Sequence, residues 1–187
     1  MTGVRKMSDK KLLVSTKGLS VRFPVKKEGA FSRRRYVHAV NDVSIDIYKG
    51  ETFGLVGESG CGKSTLANAT LGFVKPTSGE VFFDGQEIGS AGKTALKTAR
   101  LKMQKIFQNP AASLDPRYTV FKAVSEPLRI RGGYTPKEQE REVSSVLERV
   151  GLSASDMSRG VTEFSGGQQQ RIAIARALIV KPEYLVC

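Results

Sequence analysis

Hydrophobic and polar positions along the chain alternate with a strand period in the first half and a helix period in the second. Leu12 to Phe23 (LLVSTKGLSVRF) is broken only by Lys17-Gly18 and predicts an extended or hairpin segment. Pro24 to Arg35 is polar and basic, the composition of a surface loop. Val43, Ile45 and Ile47 alternate with Ser44, Asp46 and Tyr48, which predicts a half-buried strand stopped by Lys49-Gly50. Phe53 to Val56 is a continuous apolar run suited to a buried parallel strand. A helical pattern starts at Lys63, runs out near Gly72 and is closed by Lys75-Pro76. Gly79 to Ile88 (GEVFFDGQEI) predicts a hairpin turning at Asp84-Gly85. Lys93 to Lys105 reads as a basic helix, and Ile106-Phe107 as a brief strand.

Helices dominate the second half. Thr119 can cap a helix from Val120 to Leu128, weakened near its end by Pro127. Thr135-Pro136-Lys137-Glu138 has the form of a capping box; the helix it opens aligns Val143, Val146, Leu147 and Val150 and stops at Gly151. A last helix begins around Ser165-Gly166-Gly167, continues from Gln168 to Val180 and ends before Pro182. Tyr184 to Cys187 starts another apolar strand. The order predicts an α/β domain over residues 12–187, with a parallel core, an antiparallel β lobe and a helical lobe (about 110–170) inserted between core strands. Residues 1–11 read as a disordered tail.

Composition narrows the classes. A chain of 187 residues suits one domain, and no apolar run approaches the roughly 20 residues that cross a bilayer. The basic N-terminus lacks the apolar centre of a signal peptide, so the expected compartment is cytoplasmic. Cys61 and Cys187 make no disulfide framework. The net charge of +12 is spread along the chain apart from Arg33-Arg34-Arg35, and 7% aromatic content offers no stacking platform. We therefore expect nucleotide phosphates and lipid headgroups as anionic partners, and no nucleic acid. His38, the sole histidine, is expected at the surface and not as a ligand.

The chemistry is concentrated after the Phe53–Val56 run. Gly57-Glu58-Ser59-Gly60-Cys61-Gly62-Lys63-Ser64-Thr65 fits the phosphate-loop pattern G-x-x-x-x-G-K-[ST] between a strand pattern and a helix pattern. Glycines allow backbone N–H groups to surround phosphate oxygens, and the helix N-terminus adds positive partial charge. Lys63 is placed to reach the β- and γ-phosphates, and the Ser64 hydroxyl to ligate Mg²⁺.

Three further stretches decide which phosphate-loop family is involved. Phe164-Ser165-Gly166-Gly167-Gln168-Gln169-Gln170-Arg171 resembles the signature motif of ATP-binding-cassette (ABC) proteins, with Phe164 where Leu is usual. Lys105-Ile106-Phe107-Gln108-Asn109-Pro110 resembles the stretch that carries the family's Q-loop glutamine, at Gln108. Asn109 to Arg117 (NPAASLDPR), the Val25-Lys26-Lys27-Glu28-Gly29 insertion and the GESGCGKSTL form of the loop resemble the oligopeptide, dipeptide and nickel importer ATPases.

This resemblance, running from about Leu12 to Cys187, implies a P-loop ABC ATPase fold and ATP with Mg²⁺ as cofactors. It implies that Ser165, Gly166, Gly167 and Gln168 clasp the γ-phosphate of ATP held by a second ATPase subunit. It also implies that Gln108 contacts Mg²⁺ and the attacking water, and that either Phe23 or Tyr36 stacks on adenine. The partners implied are a second cassette and integral-membrane permease subunits, with the chain peripheral on the cytoplasmic face of the inner membrane and energising import of peptides or a related small solute. A soluble ABC ATPase of carbon–phosphorus lyase metabolism and an inert relic are the alternatives. The family places a Walker B Asp and Glu after the strand matching Tyr184–Cys187, and a catalytic histidine later. The sequence stops at Cys187, so we expect a fragment in which nucleotide binding, not hydrolysis, is supported, and in which Leu55 and Val56 stay uncovered.

Overall fold

A computed structural model of the chain describes residues 10–25, 35–89 and 92–187. Most of the expected tail and of the Pro24–Arg35 loop, including Lys26 to Gly29, Arg33 and Arg34, lies outside them. Two compact units are present, residues 1–99 and 100–187.

The first unit is built on an antiparallel sheet of order β2-β1-β3-β4, formed by β1 (Leu12–Pro24), β2 (Tyr36–Tyr48), β3 (Ser78–Phe83) and β4 (Gln86–Glu87). β1 lies between two neighbours, so both of its edges are paired, and residues on both of its faces are buried: Leu13, Val14, Leu19 and Val21, and also Ser15, Thr16 and Ser20. Lys17-Gly18 makes a bulge, not a hairpin: the register with β2 shifts between Thr16 and Leu19 and then continues. The Thr16 hydroxyl stitches this irregularity, donating to Val43 O at 2.9 Å and accepting from Ile45 N at 3.1 Å. β2 starts seven residues before the alternating run, at Tyr36, because an edge strand keeps polar residues such as His38 and Asn41 exposed and so shows no clean period. Asp84-Gly85 forms the predicted two-residue turn, with φ of 48° and 81°.

The buried parallel strand expected at Phe53–Val56 is not formed. Residues 51–58 pair with no strand, and Phe53, Leu55 and Val56 are 42%, 42% and 94% exposed. An apolar run supplies side chains for a sheet but not a ladder partner, and the backbone becomes a strand only where its N–H and C=O groups meet one. Helix α1 (Lys63–Thr70) follows and buries Leu66, Ala69 and Thr70. Helix α2 (Lys93–Arg100) ends five residues short of the predicted limit.

In the second unit the remaining helices are all inserted between two parallel strands. β5 (Met103–Lys105) pairs with β6 (Tyr184–Val186) in the register Met103↔Tyr184, and Ile106 N extends the ladder to Val186 O at 2.8 Å. β5 therefore begins three residues before the predicted Ile106-Phe107 strand; buried Met103, not the exposed Phe107, anchors it. Between them come α3 (Pro110–Ser113), α4 (Val120–Arg131), α5 (Pro136–Arg149) and α6 (Gly166–Leu178). Their core includes Val120, Val124 and Leu128 of α4, Val143 and Leu147 of α5, and Ile172 and Ala175 of α6.

Thr119 caps α4, and the Thr135–Glu138 capping box opens α5 as predicted. α4 runs through Pro127 to Arg131, past the expected end at Leu128. An interior proline costs about 3 kcal/mol. Full burial of Leu128 and a bond from Arg131 NH1 to Val180 O at 3.1 Å offset that loss and carry the helix on.

Candidate functional site

The glycine-rich loop is held between a closed turn and a packed helix. Tyr48 N donates to Glu51 Oε2 at 2.8 Å and Glu51 N to Tyr48 O at 3.1 Å, which ends β2 and releases the chain from the sheet. Downstream, Leu66 N bonds Gly62 O at 2.9 Å and opens the α1 ladder. Gly57, Glu58, Ser59, Gly60 and Cys61 are exposed, Gly62, Lys63 and Thr65 half-buried, and Ser64 exposed.

The N-cap of α1 is Gly62, which has no side chain to cap the helix, and the first turn holds no acidic residue. The first-turn N–H groups have no intrahelical acceptor, and the helix dipole there is uncompensated. Lys63 Nζ folds back into the mouth of the loop, 2.7 Å from Gly57 O, 2.5 Å from Glu58 O and 3.6 Å from Cys61 Sγ. An ammonium resting on exposed carbonyls, beside free amide donors, can turn to an anion without breaking any buried contact. The described residues contain no cluster of His, Cys, Asp or Glu able to hold a metal alone. Mg²⁺ keeps several waters and is bound with substrate phosphates, so the exposed Ser64 hydroxyl fits as one protein ligand to a metal that arrives with a nucleotide.

Phe23 and Tyr36 stand at the same end of the β1–β2 pair, 43% and 47% exposed. Phe23 lies opposite Val37 and Tyr36 opposite Pro24, so consecutive register positions put the two rings on opposite faces. Val21, two residues from Phe23 on β1, lies opposite Val40. Val40 Cγ2 is 3.8 Å from where a Cβ on Gly62 would stand.

A second helix N-terminus lies at Ser165, in the other unit. Ser165 Oγ accepts from Gln168 N at 3.4 Å, and Gln168 Oε1 accepts from Ser165 N at 3.0 Å, a capping box at the start of α6. The cap uses one lone pair of the hydroxyl and leaves its proton free to donate. Gly166 and Gly167 are exposed, and a Cβ on either would meet nothing within 4 Å. One hydroxyl and two backbone N–H groups thus face open space at the positive end of a helix with no acidic residue in its first turn.

Phe164, in the place of the usual Leu, is 5% exposed and stacks under Arg159, whose guanidinium carbon is 4.3 Å from the ring centre. Arg159 also pairs with Asp156 at 2.9 Å and Glu163 at 3.3 Å. The Gly160 backbone N–H, then Arg159, hold the Glu163 carboxyl below the usual carboxylate range.

Gln108 is exposed in the bend after β5. The NPAASLDPR stretch that follows is a fastened turn: Ala112 N donates to Asn109 Oδ1 at 3.2 Å. The Arg117 side chain donates to Asp115 at 3.0 and 2.8 Å, and its backbone N–H at 3.0 Å. These bonds bring the Asp115 carboxyl down to about 2.

Three further side chains in this unit hold backbone carbonyls and carry no signal of that role in the sequence. Gln169 Nε2 donates to Val161 O at 3.2 Å and Phe164 O at 3.1 Å. Arg171 NH1 donates to Gly151 O at 3.2 Å and sits at the α5 C-terminus. Arg176 NH1 donates to Ser113 O at 2.5 Å, and burial pushes its guanidinium pKa down. Gln169 and Arg171 stood inside the quoted motif, but no spacing rule tells an outward residue there from an inward one.

Comparison with known proteins places these features in a family. The ABC transporter family model matches residues 40–187. The chain is 47% identical over 175 residues to the glutathione import ATP-binding protein GsiA of Salmonella paratyphi A, covering 93% of this chain and 28% of that protein. It is 41% identical over 186 residues to the oligopeptide transport ATP-binding protein OppF of Haemophilus influenzae, covering 96% of this chain and 55% of that one. Among solved structures, the dimeric post-hydrolysis state of the ATP-binding cassette MJ0796, bound to ADP and Pi, superposes with a TM-score of 0.80. Identity there is 31%, over 92% of this chain and 72% of that one.

Proposed function

This chain belongs to the ABC transporter family, and from that premise we propose that it is the ATP-binding part of an importer for peptides or a related small solute. The uncapped α1 N-terminus beside the inturned Lys63 carries the proposal. In it, Gly57 to Gly62 surround the phosphates with backbone donors, Lys63 turns from the carbonyls of Gly57 and Glu58 to the β- and γ-oxygens, and Ser64 takes a place on Mg²⁺. The bound metal supplies charge neutralisation between the phosphates. By resemblance to the family, Gln108 is the glutamine that contacts Mg²⁺ and the attacking water.

Phe23 is the adenine-stacking aromatic. The bulge in this part of the pair falls on β2, where Val40 is followed in register by His38, so β1 keeps its alternation through Val21 and Phe23. Phe23 therefore shares the face of Val21 and Val40, on which Gly62 packs, while Tyr36 looks away from it.

The Ser165-Gly166-Gly167 terminus, with Gln168 fixing the serine, receives the γ-phosphate of a nucleotide held by a second cassette. The solved relative bound to ADP and Pi is itself described as dimeric, which supports pairing. Among the described residues no helix is long and apolar enough to cross a membrane. Membrane attachment in this reading comes through permease subunits on the cytoplasmic side. Peptide cargo rests on similarity to the glutathione import protein GsiA and the oligopeptide transport protein OppF and on the NPAASLDPR stretch.

Equilibrium dialysis with MgATP tests the core of the proposal. Lys63→Ala should abolish retention with little change in the melting temperature, because the Lys63 bonds are exposed and local. Full affinity in that variant would sink the assignment.

A further inference from the structure

We infer that Gln169 is a positioning residue for the anion site at Ser165, an inference that rests on the reading of that site given above. Gln169 touches no part of the proposed ligand surface. Its side chain turns inward from α6, and each of its two amide protons has an acceptor: Val161 O at 3.2 Å and Phe164 O at 3.1 Å. These carbonyls flank the short 3-10 turn Val161–Glu163, which delivers the chain to Ser165.

The far side of that turn is already fixed. Val161 N donates to Tyr118 O at 3.0 Å, Val120 N to Arg159 O at 2.9 Å, and the Val161 and Phe164 side chains are buried. Gln169 is the tie from the helix itself back to the turn, one helical step beyond the residues that face outward. It sets the angle at which the Ser165 hydroxyl and the Gly166 and Gly167 N–H groups leave the surface. The capping bond from Gln168 N to Ser165 Oγ is long, at 3.4 Å, and the return bond from Ser165 N to Gln168 Oε1, at 3.0 Å, fastens Ser165 to the helix but not to the turn before it.

The chemistry of position 169 follows. It needs a side chain that reaches about as far as glutamine and donates at least two hydrogen bonds. Methionine matches the length and donates none. Lysine reaches and donates up to three.

The test uses the full protein as wild type, Gln169→Met and Gln169→Lys. Three readouts are taken: MgATP affinity by equilibrium dialysis, ATP-driven pairing by light scattering, and amide exchange across Ser165–Gln168. Both variants should bind MgATP as wild type does, because the phosphate loop is untouched. Gln169→Met should lose ATP-driven pairing and exchange the hydrogen-bonded Ser165 and Gln168 amides about tenfold faster, the scale expected for losing two modest hydrogen bonds. Gln169→Lys should restore both.

Wild-type pairing and unchanged exchange in Gln169→Met would overturn the inference. Failure of the wild type to pair with ATP would instead count against the second-cassette reading, and the exchange comparison alone would then decide the role of Gln169. Faster exchange in Gln169→Lys equal to that in Gln169→Met would also overturn it, since it would show that shape and not donation matters.

Discussion

Replacement of Gly62 by alanine is the most demanding test of the phosphate loop, because the structure supplies both its sign and its size. Gly62 is the α1 N-cap, with φ of 95° and ψ of 2°. A Cβ there would lie 1.9 Å from Ala39 O and 3.1 Å from Ala39 C, both backbone atoms of β2. The left-handed backbone costs an L-residue about 1–2 kcal/mol. Overlap with a carbonyl that is part of a strand cannot be relieved by a rotamer change and adds about 1–3 kcal/mol as β2 or the loop gives way.

Gly60→Ala separates the two contributions, since Gly60 has φ of 81° but nothing within 4 Å of its Cβ position. Gly60→Ala should therefore cost about 1–2 kcal/mol from strain alone, equivalent to about 5- to 30-fold and shared between affinity and the melting temperature. Gly62→Ala should lose about 30-fold to several-thousand-fold, shared between affinity and the melting temperature. Equilibrium dialysis and a thermal melt on both variants read this out. An affinity within about threefold of wild type for Gly62→Ala, with an unchanged melt, or equal losses in the two variants, would refute the reasoning.

Phe23→Ala should weaken ATP binding by about 1–3 kcal/mol, while Tyr36→Ala leaves it near wild type; calorimetry giving the reverse order would exchange their roles. Cys61 is exposed beside Lys63, so MgATP should slow its alkylation by occlusion and leave Cys187 unaffected; equal labelling of Cys61 with and without nucleotide by mass spectrometry counts against the loop geometry. Asp115 should titrate at about 2 by NMR and move up toward 3.8 in Arg117→Ala. Its folded pKa lies below the unfolded one, so the Arg117 contact stabilises the fold above the usual carboxylate range and that contribution is lost as pH falls through about 2. A wild-type midpoint near 3.8 would show that the Arg117 contact does not persist in solution.

What the sequence made legible was local. The Asp84-Gly85 turn, the Thr135–Glu138 box and the phosphate loop are each specified within ten residues, where backbone geometry selects residue type directly. The signature at Ser165 was legible for the same reason, as serine, two glycines and glutamine suffice to write a helix N-terminus. Strands were less so. β2 began at Tyr36 although its alternation starts at Val43, because half of an edge strand carries no burial signal. Phe53 to Val56 had the right side chains for a buried strand, yet Val56 stands 94% exposed. A ladder needs a partner, and no local pattern encodes the partner.

The same distinction separates the residues expected to touch ligand from those that aim them. Lys63 and Ser165 are recognisable because phosphate chemistry limits which side chains can serve and where. Gln169, Arg171 and Arg176 act on backbone carbonyls 5 to 8, 20 and 63 residues away. Any donor of sufficient reach can serve a carbonyl, so the identity of these residues says little and their position in the fold says nearly everything. Arg176 shows how much such a contact can weigh. Its guanidinium is buried enough for its pKa to be pushed down, with Glu126 opposing that shift, and it reaches the carbonyl that ends α3, in the segment just after Gln108. A partly buried cation is held in place where withdrawing it would leave the cation itself without a hydrogen-bond partner. Arg176 therefore ties the segment after Gln108 to the helix that carries Ser165 through a bond that no motif contains.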